Sequence, residues 1–449
     1  MAKGFQQRYG LDFNETFANT TKSTTWRLII ALGAYLDWEI RQWDIKLAYP
    51  NANLTEKVYI EQPKGFINKE HPEYVCELKK ALYGLKQSAR EWQNHLKGLL
   101  SGFKLYPIKS DQSIYINSNL LLIIIAYVDD IIAIAPKIAI INDLFDYLSK
   151  KVDIRDLGEI STFLGIEFLR NRQNRSIFMH QKTYTEKVLA KFAKNSKTTP
   201  KIPIPTGIKV EPFTEIASKE AILDYQQKIG SLIYLGDKTR PDLAFYINLL
   251  ARFMANPSPQ HENLLNKLFS YLKGYPDYGL LFQDNKPSLI GYADADWGGD
   301  LSTRRSTTGY IFLFMNSPIS WNSRLQRTVA LSSCEAEYMA LKEAIKEQFY
   351  IKAILKEISP IIDIKTDIVY TDSNSAIQLA KNPTFHNRTK HIDIQYHYVR
   401  EKVLEKTTQL VYIPTDSQLA DGLIKILSYE KYKSFIDGIG LIRLSNLSF

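Results

Sequence analysis

The order of apolar and polar positions predicts alternating helices and strands through residues 1–195. Apolar residues recur at helical spacing in WRLIIALGAYL and EWQNHLKGLLSGF, whereas KVYIEQ and SIYIN are short runs typical of strands. The pattern then becomes mostly helical over 222–282, with a break at Arg240-Pro241-Asp242. A final stretch mixes strands and helices again, so the pattern indicates several folded regions along one chain.

One segment, LLLIIIAYVDDIIAIAP at 120–136, contains two apolar runs around Asp129 and Asp130. A membrane anchor is the alternative interpretation, but a span needs roughly 20 residues and two central carboxylates would be costly in hydrocarbon. Each run has the length and the Ile, Leu and Val content of a strand. We predict a buried β-hairpin with the two aspartates at its turn, where a cation is needed to offset their charge.

Proline and polar residues divide the rest of the chain. Four prolines within NSKTTPKIPIPTGIKVEPF predict an extended linker, and QDNKPS at 283–288 separates the helical stretch from the last unit. In that unit LIGYADAD, GYIFLF, ISWNS, IVYTD and LVYIP read as strands. Ser332 and Glu335 form a capping-box pattern that opens a helix to about Ile358, and Ser373 is positioned to cap the helix NSAIQLAK.

The composition favours a globular protein with a polyanionic partner. The chain has 449 residues, 45% of them apolar, which excludes a mainly disordered chain. Its formal net charge of +9 suits association with a polyanion. Cys76 and Cys334 are the two cysteines, so a disulfide framework and a cysteine-rich zinc module are excluded. The N-terminus has no apolar core of a signal peptide.

Four acids of the last unit are candidates for one metal site. Asp294 and Asp372 end strands, where ligands of α/β sheets gather, and Glu337 shares a helix face with apolar residues, so that it points inward. Asp421 lies on the apolar side of a short helix, whereas Glu335 is explained by the cap. Inward carboxylates repel one another unless cations neutralise them, and a pair of Mg²⁺ ions is the usual device for breaking phosphodiesters. A single acid of this kind is more often a cap or a surface charge, and it is the agreement of these acids with the strand ends that favours the metal site.

The first region repeats this arrangement. Asp44 closes the strand WEIRQWD, and Asp129 and Asp130 lie at the predicted turn. Three carboxylates can hold two metal ions for nucleotidyl transfer. The alternative is an Asp-Asp turn in water, but a turn between such apolar strands is an unfavourable place for charge repulsion.

Thirteen motifs occur along the chain in the order QWDIKLAY, EQPKGF, ALYGLKQSAREW, AYVDDIIA, DLGEISTFLGIEF, TRPDLAF, YADADWGGD, RRSTTGY, ISWNSRLQ, SSCEAEYMAL, YTDSNSAI, RTKHIDIQYHYVRE and QLADGLIK. In content and order they resemble the reverse transcriptase and ribonuclease H portion of copia-type LTR retrotransposon polyproteins. The resemblance covers residues 2 to about 440, and the order of the matches makes it specific.

The resemblance implies an α+β and α/β fold, a right-hand polymerase domain of palm, fingers and thumb followed by a ribonuclease H-like domain. The expected boundaries are fingers and palm at 1–195, a linker and helical thumb or connection at 196–285, the ribonuclease H-like domain at 286–430 and a C-terminal tail at 431–449. The implied activities are DNA synthesis on RNA and DNA templates and hydrolysis of RNA in RNA–DNA hybrids. Both depend on Mg²⁺, two ions per site, with Mn²⁺ as the alternative.

The resemblance also assigns residues. Asp44, Asp129 and Asp130 match the polymerase metal ligands, and Asp294, Glu337, Asp372 and Asp421 match the ribonuclease H tetrad. Tyr49 matches the gate that excludes a ribose 2′-hydroxyl. The other nucleotide- and template-binding positions are Ile45, Gly84, Leu85, Lys86, Gln87 and Tyr127, and the primer grip is Phe163, Leu164 and Gly165. Lys390 and His391 fall in a basic segment beside the tetrad; a zinc site formed with His386 and His397 is disfavoured because the spacing fits no standard pattern.

The chain departs from the family pattern next to the gate. Pro50 replaces a usual Leu and Ala52 a usual Gly. Proline fixes φ and removes an N–H, which can disturb the backbone of the pocket, although proline is tolerated in a first helical turn. Ala89 replaces a usual Pro, a change that we interpret as harmless. The chain also starts within the fingers, which we interpret as an N-terminal truncation, with Lys3 and Lys22 as remaining basic residues. The rival hypothesis is an impaired remnant that binds nucleic acid without polymerising.

The expected partners are an RNA template, a DNA primer, RNA–DNA hybrids and dNTPs, with no membrane. The expected location is the cytoplasm, within virus-like particles, with access to the nucleus as an alternative.

Overall fold

The computed structural model describes residues 1–193, 199–283, 288–358, 364, 368–381 and 393–447. The protein is a mixed α/β chain that divides into two compact units. The first comprises Met1–Leu164 and Lys356–Pro360, and the second comprises Gly165–Leu355 and Ile361–Phe449.

The α-helices described are α1 Ser23–Tyr35, α2 Ala48–Asn51, α3 Ser88–Ser101, α4 Ile138–Ser149, α5 Lys182–Phe192, α6 Lys219–Lys238, α7 Ala244–Ala251, α8 Pro259–Gly274, α9 Ser333–Ile358, α10 Asn374–Lys381, α11 Asp393–Leu404 and α12 Tyr429–Gly438.

The strands described are β1 Glu39–Ile45, β2 Asn53–Glu61, β3 Val75–Lys80, β4 Tyr106–Pro107, β5 Ile114–Asn117, β6 Leu122–Tyr127, β7 Asp130–Ala135, β8 Ile154–Glu159, β9 Thr162–Phe163, β10 Ile166–Asn171, β11 Ser176–His180, β12 Tyr278–Phe282, β13 Leu289–Ala295, β14 Thr307–Phe314, β15 Ser317–Leu325, β16 Ile368–Thr371, β17 Gln409–Tyr412 and β18 Leu441–Arg443.

The first unit is built on a six-stranded sheet in the order β4-β5-β6-β7-β1-β8. Strands β6 and β7 form the predicted hairpin, and nearly every residue of both is buried. Their apolar runs do not alternate because side chains on both faces of the strands are covered, as in a central sheet position. The membrane-anchor interpretation of 120–136 is therefore wrong, and no described helix is long and apolar enough to cross a bilayer.

The second unit contains a mixed five-stranded sheet in the order β15-β14-β13-β16-β17. Strands β13, β14 and β15 are antiparallel, whereas β16 runs parallel to both β13 and β17. Helix α9 packs its small residues, Ala336 and Ala340, against Ala295 at the end of β13. A second group of strands, β10, β11, β12 and β18, forms an antiparallel sheet.

The helical stretch behaves largely as predicted, with α6, α7 and α8 and a 3-10 turn at Pro241–Leu243 where the sequence breaks. Its last residues, Tyr278–Phe282, form strand β12. Strand β12 has a neighbouring strand on each side. A run of five residues is too short for hydrophobic periodicity to distinguish a strand from a helix.

The predicted C-terminal tail at 431–449 includes regular secondary structure. It contains most of α12 and strand β18, which pairs with β12. Buried Tyr432, Phe435 and Ile436 lie at i, i+3 and i+4 of α12, which is the apolar stripe of a packed helix.

Candidate active sites

The first acidic cluster, Asp44, Asp129 and Asp130, lies at one end of the first unit's sheet. Asp44 on β1 is directly opposite Asp130 on β7 in the antiparallel register. The N–H of Ile45 donates to the carbonyl oxygen of Asp129 at 2.9 Å. Because β1 pairs with the hairpin at its turn, Asp44 shares one sheet end with two acids that lie more than eighty positions later in the sequence.

The electrostatics of the first acidic cluster favour a cation. Burial and the nearby carboxylates of Asp129 and Asp44 raise the pKa of Asp130 to about 6. Both causes disfavour the ionised form, and a bound cation acts in the opposite direction.

The turn that carries Asp129 is conformationally unusual. Val128 has a φ of 58°, a left-handed value that is rare for a β-branched residue. The indole Nε1 of Trp92 on α3 donates to the Val128 carbonyl oxygen at 2.7 Å. Trp92 thus holds the turn from outside the hairpin, a role that sequence reasoning missed although the residue lies in the quoted motif ALYGLKQSAREW.

Tyr49 lies beside the first acidic cluster. It is half-buried on α2, and its ring centroid is 4.5 Å from that of Tyr83. Burial, followed by Tyr83, Asp129 and Tyr127, raises its pKa. Tyr83, which sequence reasoning did not single out, is also close to the acids, since Asp129 and Asp44 contribute to raising its pKa after burial.

Pro50 is the third residue of α2, within the first turn, where a helix leaves its N–H groups without intrahelical acceptors. The left-handed residue before this helix is Leu47, with a φ of 52°. Ala52, which follows α2, is completely buried. The helix therefore forms with proline in place.

The Gly84–Gln87 segment is fastened by residues near the N-terminus. The N–H of Lys86 donates to Gln7 Oε1 at 2.8 Å, and buried Gln87 donates to the Asp12 carbonyl oxygen at 2.8 Å. Gly84 has a φ of 101° and a Cβ there would collide with the Ala2 carbonyl, so glycine is required. Leu85 is buried in the same segment.

The predicted primer-grip residues differ in exposure. Phe163 is buried, with its ring edge-on to Trp26 at 6.2 Å, so its side chain belongs to the core of the first unit. Leu164 has a φ of 51° and Gly165 one of 69°. Gly165 is exposed, which leaves this backbone accessible.

The second acidic cluster, Asp294, Glu337 and Asp372, is tighter. One carboxylate oxygen from each of the three residues lies within 4.8 Å of the others. Asp294 is near the end of β13 and Asp372 follows the parallel strand β16, while Glu337 approaches from the first turns of α9. Parallel neighbours end on the same sheet edge, which is why the two aspartates meet.

Burial dominates the electrostatics of the second acidic cluster. It raises the pKa of Asp294 well above its usual range, aided by Glu337, and raises the pKa of Glu337 to about 8, with Asp372 and Asp421 contributing. In the part of the chain that the structure describes, buried Glu337 Oε2 has no hydrogen-bond partner. A buried oxygen without a donor among three converging carboxylates fits a divalent cation, which accepts this ligand type.

Asp421 lies near this cluster but not within the 4.8 Å group. It is buried on a 3-10 turn, Leu419–Leu423, and forms an ion pair with Lys425 at 2.6 Å. Gln418 fixes that turn by donating to the Ala293 carbonyl oxygen at 3.1 Å. Thr415 orients Asp372 by donating to its Oδ2 at 2.6 Å. These three partners were missed because side-chain contacts between distant segments leave no periodic signal.

The remaining predicted positions are lysines and histidines that belong to neither acidic cluster. Lys390, His391 and His386 lie outside the described residues. His397 is exposed, as is Lys3. Lys22 is the N-cap residue of α1, and its N–H donates to Asp111 Oδ2 at 3.3 Å.

Comparison with known proteins supplies the identity. A family model described as reverse transcriptase (RNA-dependent DNA polymerase) matches residues 1–206. The chain is 37% identical, over 98% of its length, to the retrovirus-related Pol polyprotein from transposon TNT 1-94 of Nicotiana tabacum. It is also 37% identical, over 99% of its length, to that from transposon RE1 of Arabidopsis thaliana. The chain belongs to the copia-type retrotransposon polyproteins.

This copia-type chain spans 34% of the tobacco relative and 30% of the Arabidopsis one. A solved structure of LC11-RNase H1 in complex with RNA/DNA hybrid covers 30% of the chain, with 14% identity and a TM-score of 0.24.

Proposed function

We propose that this copia-type chain is a reverse transcriptase with ribonuclease H activity. The observation that carries the proposal is the convergence of carboxylates in two places, one in each compact unit. Separate clusters of this kind suit two separate reactions on phosphodiesters.

In the proposed polymerase site, Asp44, Asp129 and Asp130 are the residues that would hold Mg²⁺. When bound, the ions activate the attacking hydroxyl and neutralise charge on the phosphates. Trp92 holds the turn that presents Asp129, and Tyr83 packs against Tyr49. That contact fixes the Tyr49 ring, which we assign to excluding a ribose 2′-hydroxyl.

In the proposed nuclease site, Asp294, Glu337 and Asp372 are the metal-holding residues. Thr415 keeps Asp372 in position, and Lys425 compensates part of the charge on Asp421. We assign Asp421 a supporting place at the edge of this site because it lies outside the compact triad.

The proposed domain plan keeps fingers and palm within residues 1–195, a thumb or connection within 196–285 and the ribonuclease H-like domain within 286–430. The substrates that follow are an RNA or DNA template with a DNA primer, dNTPs and RNA–DNA hybrids. The basic net charge of +9 supports such partners.

A primer-extension assay tests the polymerase half. A labelled DNA primer on an RNA template is incubated with the chain, dNTPs and Mg²⁺, and with EDTA in the control. We expect extension that EDTA abolishes. Retention of the primer–template in a gel shift without any extension would contradict the proposal and support the impaired remnant.

A second assay follows cleavage of a labelled RNA strand annealed to DNA. We expect metal-dependent fragments from the hybrid and none from the same RNA annealed to RNA. Intact hybrid after prolonged incubation with Mg²⁺ or Mn²⁺ would refute the nuclease half independently of the first assay.

A further inference from the structure

A groove of about 440 Å³ lies between α9 and strands β14 and β15 of the second unit. Its cationic lining residues are Arg324, Arg327, Lys342 and Lys346. Glu343 is the one carboxylate among the described lining residues, and it pairs with Lys342 at 2.9 Å and with Lys346 at 3.5 Å. The groove therefore carries a clear excess of positive charge.

The two arginines are not neutralised by the acids that the structure describes. Both side chains are exposed, and neither forms an ion pair with a described acid. Arginine without an acidic partner in a groove is suited to phosphate, which its planar fork binds through two hydrogen bonds. Asn322 and Thr308 add neutral side chains that can contact sugar or phosphate oxygens.

The groove is on the side of α9 that faces away from the second acidic cluster. At 3.6 residues per turn, positions 339, 342, 343 and 346 fall about 140–240° around the helix from Glu337. A strand in the groove is therefore not at the bond that Glu337 would act on. The groove is also too small for a duplex, since its volume falls in the range of pockets that hold about one drug-sized ligand.

We propose that this groove binds the phosphodiester backbone of a single nucleic-acid strand, at a site separate from both acidic clusters. Positive side chains paired with few acids supply affinity that depends on salt and not on base sequence. The bound strand is either the single-stranded extension of a duplex or a free single strand. This site does not require either proposed activity, because its charge and shape are independent of the carboxylates.

The test is binding of a fluorescent single-stranded oligonucleotide to the full chain in EDTA, followed by anisotropy across salt concentrations. The double variant Arg324→Gln/Lys346→Gln is compared with Lys209→Gln/Lys219→Gln, which removes the same charge at exposed positions outside the groove. For two lost phosphate contacts we expect the negative slope of log affinity against log salt to become less steep by about 1.4 in the groove variant. The control variant should keep the slope of the unmodified chain.

Three further readouts decide between explanations. Thermal melts should show equal stability for both variants, since all four side chains are exposed. Cleavage of a short blunt hybrid should be unchanged in the groove variant if the unmodified chain cleaves it. Equal slopes in the two variants would overturn the proposal, and so would loss of polyglutamate binding in the groove variant with oligonucleotide binding intact, which would indicate an acidic protein partner.

Discussion

At the scale of single residues, two buried aspartates of the second unit have opposite electrostatic settings. Burial, followed by the carboxylates around it, raises the pKa of Asp294. For Asp300, burial opposes ionisation, but donors from Ser302, Thr303 and Arg252 outweigh it and lower the pKa to about 2. The first setting costs stability in the absence of a cation, and the second contributes stability.

Asp294→Asn should therefore make the metal-free protein more stable while abolishing hybrid cleavage. An amide keeps the shape and removes a carboxyl group that burial and Glu337 destabilise, so we expect about 1 kcal/mol more free energy of unfolding in EDTA at pH 7. Cleavage should fall at least about 100-fold. Urea unfolding measures the change in the free energy of unfolding, and the hybrid assay measures the loss of cleavage.

Exposed Asp437→Asn is the matched control, with a change within about 0.5 kcal/mol. A destabilised Asp294→Asn protein would show that the carboxylate is held by partners other than its acidic neighbours.

Asp300→Asn should act in the reverse sense and with a defined pH dependence. The folded pKa of about 2 lies below the usual 3.8, so ionised Asp300 stabilises the fold above pH 4, and this contribution is lost as the pH falls towards 2. We expect the variant to lose about 1–2 kcal/mol at pH 7, after allowance for solvent screening. The difference in the free energy of unfolding between the variant and the unmodified chain, measured by urea unfolding, should be smaller at pH 4 than at pH 7 and smaller still at pH 3. A gap that stays constant with pH would mean that geometry, not charge, is responsible.

At the scale of elements, the start of α9 shows both a correct and an incorrect expectation. Ser332 caps the helix as predicted, since its Oγ accepts from the N–H of Glu335 at 3.2 Å. The reciprocal half of the capping box is wrong, because Glu335 accepts from the N–H of Leu331 at 2.7 Å instead of from Ser332. The cap matters because Glu337 is in the turn that it stabilises.

Ser332→Ala should lower the free energy of unfolding by about 1 kcal/mol, since one orphan N–H of the first turn loses its acceptor. Ser332→Thr keeps a hydroxyl and should recover most of that loss. Thermal unfolding of the two variants side by side measures the difference. Equal melting temperatures for Ala and Thr would show that the hydroxyl does not cap α9 in solution.

The sequence was sufficient for elements with a strong local signal. The hairpin of β6 and β7, the long helix α9 and the Ser373 cap of α10, whose Oγ accepts from the Ala376 N–H at 3.2 Å, all follow from pattern and propensity. Trp92, Tyr83 and Gln418 could not be assigned in this way. Their roles depend on contacts between segments far apart in sequence, and such contacts leave no periodicity to detect.

At the scale of the whole chain, a buried polar network ties the second unit together. Arg240 and Asp242, both essentially inaccessible, form a two-point ion pair at 2.9 and 2.7 Å. Asp242 also accepts from Tyr271 on α8, and Tyr432 on α12 donates to Tyr271 at 3.0 Å. The helices assigned to a thumb or connection thus share a core with the C-terminal helix.

Arg240→Met should be strongly destabilising, because it leaves Asp242 buried without its cation. The expected loss is about 3–5 kcal/mol, and Arg240→Met/Asp242→Leu, which removes both charges, should recover most of it. Chemical unfolding of the single and double variants measures this coupling. A double variant no more stable than the single one would contradict an ion pair as the source of the effect.

The most direct test of whether the two acidic clusters act independently is to measure one variant of each cluster in both activity assays. Asp130→Asn and Asp372→Asn are each measured for primer extension and for hybrid cleavage under identical Mg²⁺. The account predicts that Asp130→Asn loses extension and keeps cleavage, whereas Asp372→Asn keeps extension and loses cleavage. Unchanged extension in Asp130→Asn together with unchanged cleavage in Asp372→Asn, in folded proteins, would contradict it.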